Sequence, residues 1–384
     1  LISEFTGKPI ELSVILPTLN EEQTIETCIR KIQNVFKNQG INGEIIVTDS
    51  STDKTPEIAR SLGARVVHPK SRGYGCAYME AFTHVRGRYI VIGDADNTYD
   101  FNEIPLLIHE MEKGFDLVVG SRFRGTITKG AMTPLHRYIG NPFLTFVLNK
   151  IFHTNFTDTH SGFRAIRSDA LESLHLQSCG MEFASEMLIN ASREGLKISE
   201  VPITYYPRIA PSKLASFSDG WRHLRFFLLL KPIPFLAVPG MLSVIFGLIL
   251  MGAFHDPSGD PSARTHSFIL GTMLMMGGIQ LFFFGIVIKI YSSLHGYGKE
   301  GLTEDILLNY QNLEKFLIMG SVFIIAGVCL GGYILYEWII SGFGALNEIT
   351  NATLSLALVT VGVEIVFIAV LISMMCLNRE PFSD

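Results

Sequence analysis

Cysteine is sparse in this chain. Five residues among 384 (Cys28, Cys76, Cys179, Cys329 and Cys376) are scattered and form no C-x-x-C pair. Such spacing predicts neither a disulfide framework nor a zinc site, and it fits a reducing compartment. An excess of basic charge is missing too. There are 31 Lys and Arg against 36 Asp and Glu, which excludes whole-molecule attraction to nucleic acid. The first apolar run, SVIL (13–16), is too short for a secretory signal, so none is expected. The chain has no internal repeat and no low-complexity tract.

Hydrophobic residues, in contrast, make up 48% of the chain, and its length suggests two or three domains. Composition changes sharply near Lys231. Four apolar runs follow, at 232–254, 267–291, 316–340 and 352–377. Each reaches the roughly 20 residues that a helix needs to cross a hydrocarbon core of about 30 Å. Arg222, Arg225 and Lys231 precede the first run, Lys289, Lys299 and Lys315 separate the second and third, and Arg379 follows the fourth. The opposite side has only Arg264. This bias predicts that the N-terminal domain and both termini face the cytoplasm. Charge also divides by segment: net −5 over 1–120, +5 over 121–225 and −5 over 226–384. An anionic ligand is therefore expected at the middle segment. Within the runs, Gln280, Glu337 and Glu364 are polar, and Glu364 lies deepest.

Residues 10–205 alternate in pattern. IELSVILP, GEIIVTDS, ARVVHP, RYIVIGDAD and DLVVGSR read as strands. NEEQTIETCIRKIQNVFKNQG reads as an amphipathic helix, with Ile25, Cys28, Ile29, Ile32 and Phe36 on one stripe and Gly40 as its stop. TPEIARSLG, GCAYMEAFTHV and NEIPLLIHEMEKG are further helices. The alternation predicts an α/β domain with a mostly parallel, Rossmann-like sheet, helices on both faces, and ligands at the carboxyl ends of strands. LHRYIGNPFLTFVLNKIF (135–152) and SDGWRHLRFFLLLKP (218–232) carry basic and aromatic residues at their edges. They read as interfacial helices, with an ordinary core helix the alternative for the first.

Two strands end in acid, VTDSSTDKT and VIGDADNTYD. A D-x-D turn leaving a sheet can hold a divalent cation, and Mg²⁺ favours few carboxylates completed by phosphate oxygens. A lone D-x-D reads equally as a turn cap; the second acidic strand end favours the cation. In order and spacing, LPTLNEEQTI, IIVTDSSTDKT, RGYGCA and YIVIGDAD resemble the GT-A fold of family-2 glycosyltransferases, which use nucleotide-diphosphate sugars. VVGSRF (118–123), HRYIGN (136–141), DTHSGFRAIR (158–167), GMEFASEM (180–187) and PRIAPSKL (207–214) resemble the polyprenyl-phosphate (dolichyl-phosphate) members. The likeness covers residues 10–225, and the four runs fit membrane-anchored members.

The resemblance implies an N-terminal extension (1–9), a GT-A domain (10–210), a juxtamembrane amphipathic segment (211–231), a four-helix transmembrane domain (232–377) and a cytoplasmic tail (378–384). It implies that Pro17, Asn20 and Glu21 line the nucleotide pocket, that Asp49 meets the base or ribose, and that Arg72 and Gly73 close over the donor. The family usually has two consecutive acids where this chain has Thr48-Asp49. Asp94 would meet the ribose or the metal, Asp96 would be the principal ligand of Mg²⁺ or Mn²⁺, and Asn97 a polar partner. Arg122 and Arg137 would meet the acceptor phosphate, with Asn141, Ser161 and Arg164 as further contacts. Arg208 and Lys213 would belong to a loop that covers the donor. Arginine suits these places because its fork binds phosphate oxygens bidentately. Glu182 and Glu186, four apart on one helix face, would orient arginines or bind sugar hydroxyls.

The implied reaction is an inverting, metal-dependent transfer of a hexose from a nucleotide-diphosphate sugar to the phosphate of polyprenyl or dolichyl phosphate. UDP-glucose is favoured over GDP-mannose. The product would be a lipid-linked sugar donor for glycosylation. An ionised phosphate needs alignment rather than a base, which agrees with the lack of a Ser-His-Asp or Cys-His set among eleven histidines. The expected partners are the nucleotide sugar, the lipid phosphate, the bilayer and further copies of the chain through its spans. Nucleic acid is not expected. A processive polysaccharide synthase fits less well, because DGWRH (219–223) lacks the Gln of a QxxRW motif. A metal-dependent phosphatase or nucleotidyltransferase, and a flippase or scaffold with an inactive transferase domain, are the other readings. Intact Asp94, Asp96, Arg122 and Arg164 speak against the last.

Overall fold

The first strand shows why the strands read as unbroken apolar runs. In the computed structural model, which describes residues 9–209, 216–254, 265–295, 297, 310–344 and 348–376, β1 (Leu12–Thr18) is buried along nearly its whole length. Val14 and Leu16 pack on one face with Ile25, Cys28, Ile29 and Ile32 of α1 (Ile25–Gln39). Ile15 points the other way, into a cluster with Tyr78 of α3 (Tyr74–Phe82) and Phe183 and Met187 of α7 (Phe183–Arg193). Successive side chains alternate across a strand, so covering both faces makes most positions apolar, and the buried Ser13 and Thr18 hydroxyls donate to Glu44 and Asp49. On α1 the buried stripe ends in Val35, with Phe36 half-buried beside it, and Gly40 closes the helix at φ 66°.

Seven strands form one sheet in the order β3-β2-β1-β4-β6-β5-β7. The others are β2 (Gly43–Asp49), β3 (Arg65–Val67), β4 (Tyr89–Ile92), β5 (Leu117–Ile127), β6 (Arg164–Arg167) and β7 (Ile198–Tyr205). Only β6 runs antiparallel to its neighbours, so the sheet is mostly parallel as expected. β6 and β7 are additions to the expected strands. The first cluster also takes Ala59 of α2 (Thr55–Ser61) and Leu107 of α4 (Ile104–Glu112), and the second takes Ala170 of α6 (Ser168–Glu172). Two basic-aromatic elements complete this part: α5 (Asn141–Phe152), entered through a π-helical turn at His136–Gly140, and α8 (Ser216–Leu230).

One expectation about cysteine is overturned. Cys76 and Cys179 are joined by a disulfide. They lie 103 residues apart, so spacing carries no signal of the bond; the fold sets the first turn of α3 beside the loop before α7, with the two Cα atoms 4.4 Å apart.

The chain divides into two compact units, Leu1–Arg225 and Phe226–Asp384. The second is built from α9 (Val238–Phe254), α10 (Thr265–Leu294), α11 (Tyr310–Ile340) and α12 (Ile349–Cys376). Among the described residues, four stretches are long and apolar enough to cross a membrane: Ile233–Phe254, Thr265–Leu294, Glu314–Ile340 and Ile349–Met375. Glycine sets their pairing. A Cβ on Gly240 would stand 2.7 Å from the Gly278 carbonyl, and one on Gly278 would stand 2.6 Å from the Gly240 carbonyl. Gly247 with Gly271 repeats this between α9 and α10, and Gly320 with Gly362 between α11 and α12. Small residues let apolar helices approach closely where no hydrophobic force separates helix from lipid.

Candidate active site

At the carboxyl edge of the sheet the chain leaves β1 and β4 toward the same side. A cleft of about 460 Å³ opens there. Pro17, Thr18, Leu19 and Glu21 line it from β1 and its exit, and Ser50 from the end of β2. Arg72, Gly73 and Tyr74 form the rim before α3. Asp94, Ala95 and Asp96 come from the exit of β4, and Gly180, Met181, Arg208 and Arg222 complete the wall.

The two aspartates are held differently. Asp96 is buried; its Oδ1 accepts the Thr98 N–H at 3.0 Å and the Thr98 hydroxyl at 2.6 Å. Its Oδ2 accepts from Arg208 Nε at 2.6 Å, and Arg208 Nη2 also meets that oxygen. Asp94 accepts the Tyr74 hydroxyl at 2.9 Å. Gly162 packs against that pair, since a Cβ there would stand 2.8 Å from the Tyr74 hydroxyl and 3.0 Å from Asp94 Oδ2. Burial first, then the Asp96 charge, push the Asp94 carboxyl up to about 7. Two carboxylates crowded in this way favour a cation beside them. Among the described residues no group of three His, Cys, Asp and Glu gathers as a closed metal site. Two carboxylates facing an open cleft are the donor set that suits a Mg²⁺-like ion completed by phosphate oxygens.

Of the residues expected at a donor, Pro17, Glu21, Arg72, Gly73, Asp94, Asp96 and Arg208 come together in this cleft. Asn20, Asp49 and Asn97 are not among the residues that line it. Asn20, at φ 53°, accepts the Thr52 N–H at 2.8 Å. Asp49 is buried and accepts from the Thr18 hydroxyl at 2.7 Å and the Ser51 N–H at 3.2 Å. Asn97, at φ 62°, accepts from Lys31 Nζ at 3.1 Å.

The residues expected at an acceptor are dispersed. Arg122 is buried and forked onto Asp158 at 2.7 and 2.8 Å, with its backbone N–H on the same carboxylate at 3.0 Å. It also lies over the Tyr205 ring. Arg164 is not brought to the cleft: it is buried and spends its guanidinium on the carbonyls of Ser161, Thr159 and Ala184. Ser161 is buried, and its hydroxyl accepts the Phe163 N–H at 3.4 Å. Arg137 lies against the Tyr138 ring, and the Asn141 amide reaches Met132 Sδ at 3.4 Å. Both sit on an exposed apolar surface with Tyr138, Ile139, Phe143 and Phe146. Glu186 caps the loop before α7, accepting the N–H groups of Gln177 and Ser178 at 3.0 and 2.9 Å. Lys213 lies outside the described residues. Sequence reasoning missed Tyr74, Thr98, Asp158, Met181 and Arg222, although Tyr74, Asp158 and Met181 stand inside RGYG, DTHSG and GMEF.

The chain is similar to known glycosyltransferases. The family model described as Glycosyl transferase family 2 matches residues 13–174, and that of the glycosyltransferase family 2 C-terminal transmembrane region matches 286–376. The chain is 41% identical over 362 residues to the low-salt glycan biosynthesis hexosyltransferase Agl6 of Haloferax volcanii, covering 93% of this chain and 87% of that protein. It is 34% identical over 212 residues to the dolichyl-phosphate hexose transferase of the same organism, covering 55% and 89%. Among solved structures, glucosyl-3-phosphoglycerate synthase from Mycobacterium tuberculosis aligns with 57% of this chain and 78% of its own at 27% identity and a TM-score of 0.47. With a strand-edge cleft carrying its aspartate pair and four membrane-length helices, the chain belongs to glycosyltransferase family 2 as a multi-pass membrane member.

Proposed function

We propose that this protein transfers a hexose from a nucleotide-diphosphate sugar to the phosphate of a polyprenyl or dolichyl phosphate, with inversion. The observation that carries the donor half is the Asp94–Asp96 pair facing Arg72 and Arg208 across one cleft. The nucleoside enters beside Pro17, Glu21 and Ser50, and the diphosphate lies at the aspartates and arginines. Asp96 and Asp94 would hold Mg²⁺ or Mn²⁺, which neutralises the diphosphate and stabilises it as a leaving group. Arg208 turns from Asp96 to the phosphates when the donor is bound. The relatives named a hexosyltransferase and a dolichyl-phosphate hexose transferase support the hexose and the acceptor class. UDP-glucose is the first donor to test and GDP-mannose the second.

The acceptor half rests on Arg122, Arg137 and Asn141. Arg122 spends Nε and Nη2 on Asp158, which leaves Nη1 as the end for the lipid phosphate. Arg137 and Asn141 lie among exposed aromatic and aliphatic side chains suited to the headgroup layer. An ionised phosphate oxygen attacks the anomeric carbon opposite the departing nucleotide. Alignment and electrostatics supply the rate, and no side chain needs to remove a proton. The catalytic unit faces the cytoplasm in this reading.

The test is a product assay in membranes with polyprenyl phosphate, Mn²⁺ and labelled UDP-glucose, UDP-N-acetylglucosamine and GDP-mannose in parallel. The expected outcome is label from one donor in an organic-extractable, mild-acid-labile lipid, abolished by EDTA. If no donor labels lipid while the folded protein binds Mn²⁺, the lipid-phosphate acceptor is wrong.

A further inference from the structure

Two walls of the cleft meet at a covalent bond. Arg72, Gly73 and Tyr74 belong to one wall, Gly180 and Met181 to the other. The Cys76–Cys179 disulfide joins the first turn of α3 to the loop before α7 between them. Backbone contacts run alongside: the N–H groups of Gly75 and Cys76 donate to the Cys179 carbonyl at 3.0 and 3.4 Å. The approach is too close for side chains, since a Cβ on Gly73 would stand 2.3 Å from that carbonyl and one on Gly75 1.9 Å from the Ser178 carbonyl. The Glu186 carboxylate holds the N–H groups of Gln177 and Ser178. The second wall therefore hangs between a carboxylate and a disulfide. Cys179 is exposed and Cys76 half-buried, so a thiol from solution reaches Cys179 first.

We propose that this bond is a reversible thiol–disulfide site that sets affinity for the nucleotide diphosphate, with the disulfide as the tight-binding form. The reductant is a low-molecular-weight thiol. Its thiolate attacks Cys179 Sγ, the S–S bond breaks, and Cys76 departs as a thiolate in the first turn of a helix, where an anion is favoured. A second thiol attacks the resulting mixed disulfide and frees Cys179 as a thiolate. Two external thiols become one external disulfide, and the protein gains two electrons and then two protons. Oxidation is the reverse, with the external disulfide as oxidant. Reduction leaves the walls joined by backbone hydrogen bonds and by the packing of Tyr74 and Tyr78 on Phe183, so more of their ordering falls to the ligand and weakens its binding.

The affinity claim rests on reading this cleft as the donor pocket. The experiment takes the full chain in detergent, poised with oxidised glutathione or dithiothreitol. Peptide mapping reads the link, hydrogen exchange over 72–80 and 177–186 reads the walls, and titration with UDP and GDP in Mn²⁺ reads affinity. The expected results are a Cys76–Cys179 link in the oxidised protein, faster exchange of both segments on reduction, and a Kd that rises about three- to tenfold. Cys179→Ser and Cys76→Ser should each hold the weaker Kd under both conditions. Absence of the link in the oxidised protein, or identical exchange in both states, overturns the proposal. Equal nucleotide affinity in both states also overturns it, while leaving the donor-pocket reading intact. If exchange responds but neither diphosphate binds in either state, the donor-pocket reading falls and takes the affinity claim with it.

Discussion

Asp96 divides its carboxylate between fold and function. Oδ1 closes a turn on Thr98, and Oδ2 faces Arg208 and the cleft. Asp96→Asn keeps an oxygen for the turn and removes the charge. Turnover should fall about 10²- to 10³-fold, while the thermal midpoint stays close to wild type and Mn²⁺ binding, read by electron paramagnetic resonance, weakens. Retained turnover would remove Asp96 from the chemistry. Asp158 carries a different load. It is fully buried against a buried arginine, so Asp158→Ala strands an uncompensated guanidinium and should cost about 3–5 kcal/mol of stability. Denaturant unfolding of the purified protein checks this, and a loss under 1 kcal/mol would mean that Arg122 finds another partner. Asp94 and Asp96 are legible in the sequence because acid breaks an apolar strand. Tyr74, Thr98 and Asp158 are not, because their meaning lies in a partner: Tyr74 meets Asp94 across 20 residues and Asp158 meets Arg122 across 36. Arg164 shows the converse. Its place in DTHSGFRAIR suggested a phosphate contact, and burial gave its donors to backbone carbonyls instead.

Among the elements, the strands that sequence reasoning found are those covered on both faces. β6 has four residues, two of them arginine, and β7 carries Pro202 at the sheet edge, where a missing N–H is tolerated. Neither has the apolar run that marks β1 or β4. The expected helix at NEEQTI begins only at Ile25, because Asn20 turns at φ 53° and the Glu21 N–H is taken by the Thr55 hydroxyl at 2.9 Å. α8 was legible as amphipathic but not as the carrier of a buried polar contact. His223 Nδ1 meets the Ser185 hydroxyl at 3.2 Å, and its ring stands edge-on to His160. Burial holds His160 well below the usual imidazole range and brings His223 down to about 4. Unfolding restores an ordinary value near 6.5, so between about 4 and 6.5 the unfolded chain binds more protons than the folded one. Stability from this source is complete above that window and is lost as pH falls through it, by up to about 1.4 kcal/mol per pH unit for each histidine. Thermal unfolding from pH 7.5 to 4.5 should show a steeper decline in wild type than in His223→Gln; parallel curves would place the pH dependence elsewhere. In the second unit, Gly278→Ile should separate α9 from α10, because Gly240 leaves no room for a side chain. The expected sign is a lower midpoint for that variant than for Gly277→Ile, since a Cβ on Gly277 meets nothing within 4 Å.

Across the whole molecule, charge gives the chain two separate instructions. The positive middle segment, net +5, holds Arg122, Arg137 and Arg208, and a diphosphate donor with a phosphate acceptor is the substrate pair such a segment gathers. The second instruction lies in the flanks of the apolar runs. Lys and Arg cluster before the first run, between the second and third, and after the fourth, while 255–264 contains only Arg264. Translocation disfavours short basic loops, so 255–264 should be exported and 296–309 retained on the side of the catalytic unit. This matters for chemistry, because the cleft can take only a donor present on its own side of the membrane. The prediction is tested with single cysteines at Ser258 and at Leu302, each in a chain whose five native cysteines are replaced by serine. A membrane-impermeant maleimide should label Ser258→Cys in intact cells and Leu302→Cys only after the membrane is opened. Labelling of Leu302→Cys from outside would invert the topology, place the aspartate cleft outside the cytoplasm, and leave a cytoplasmic donor without access to its site.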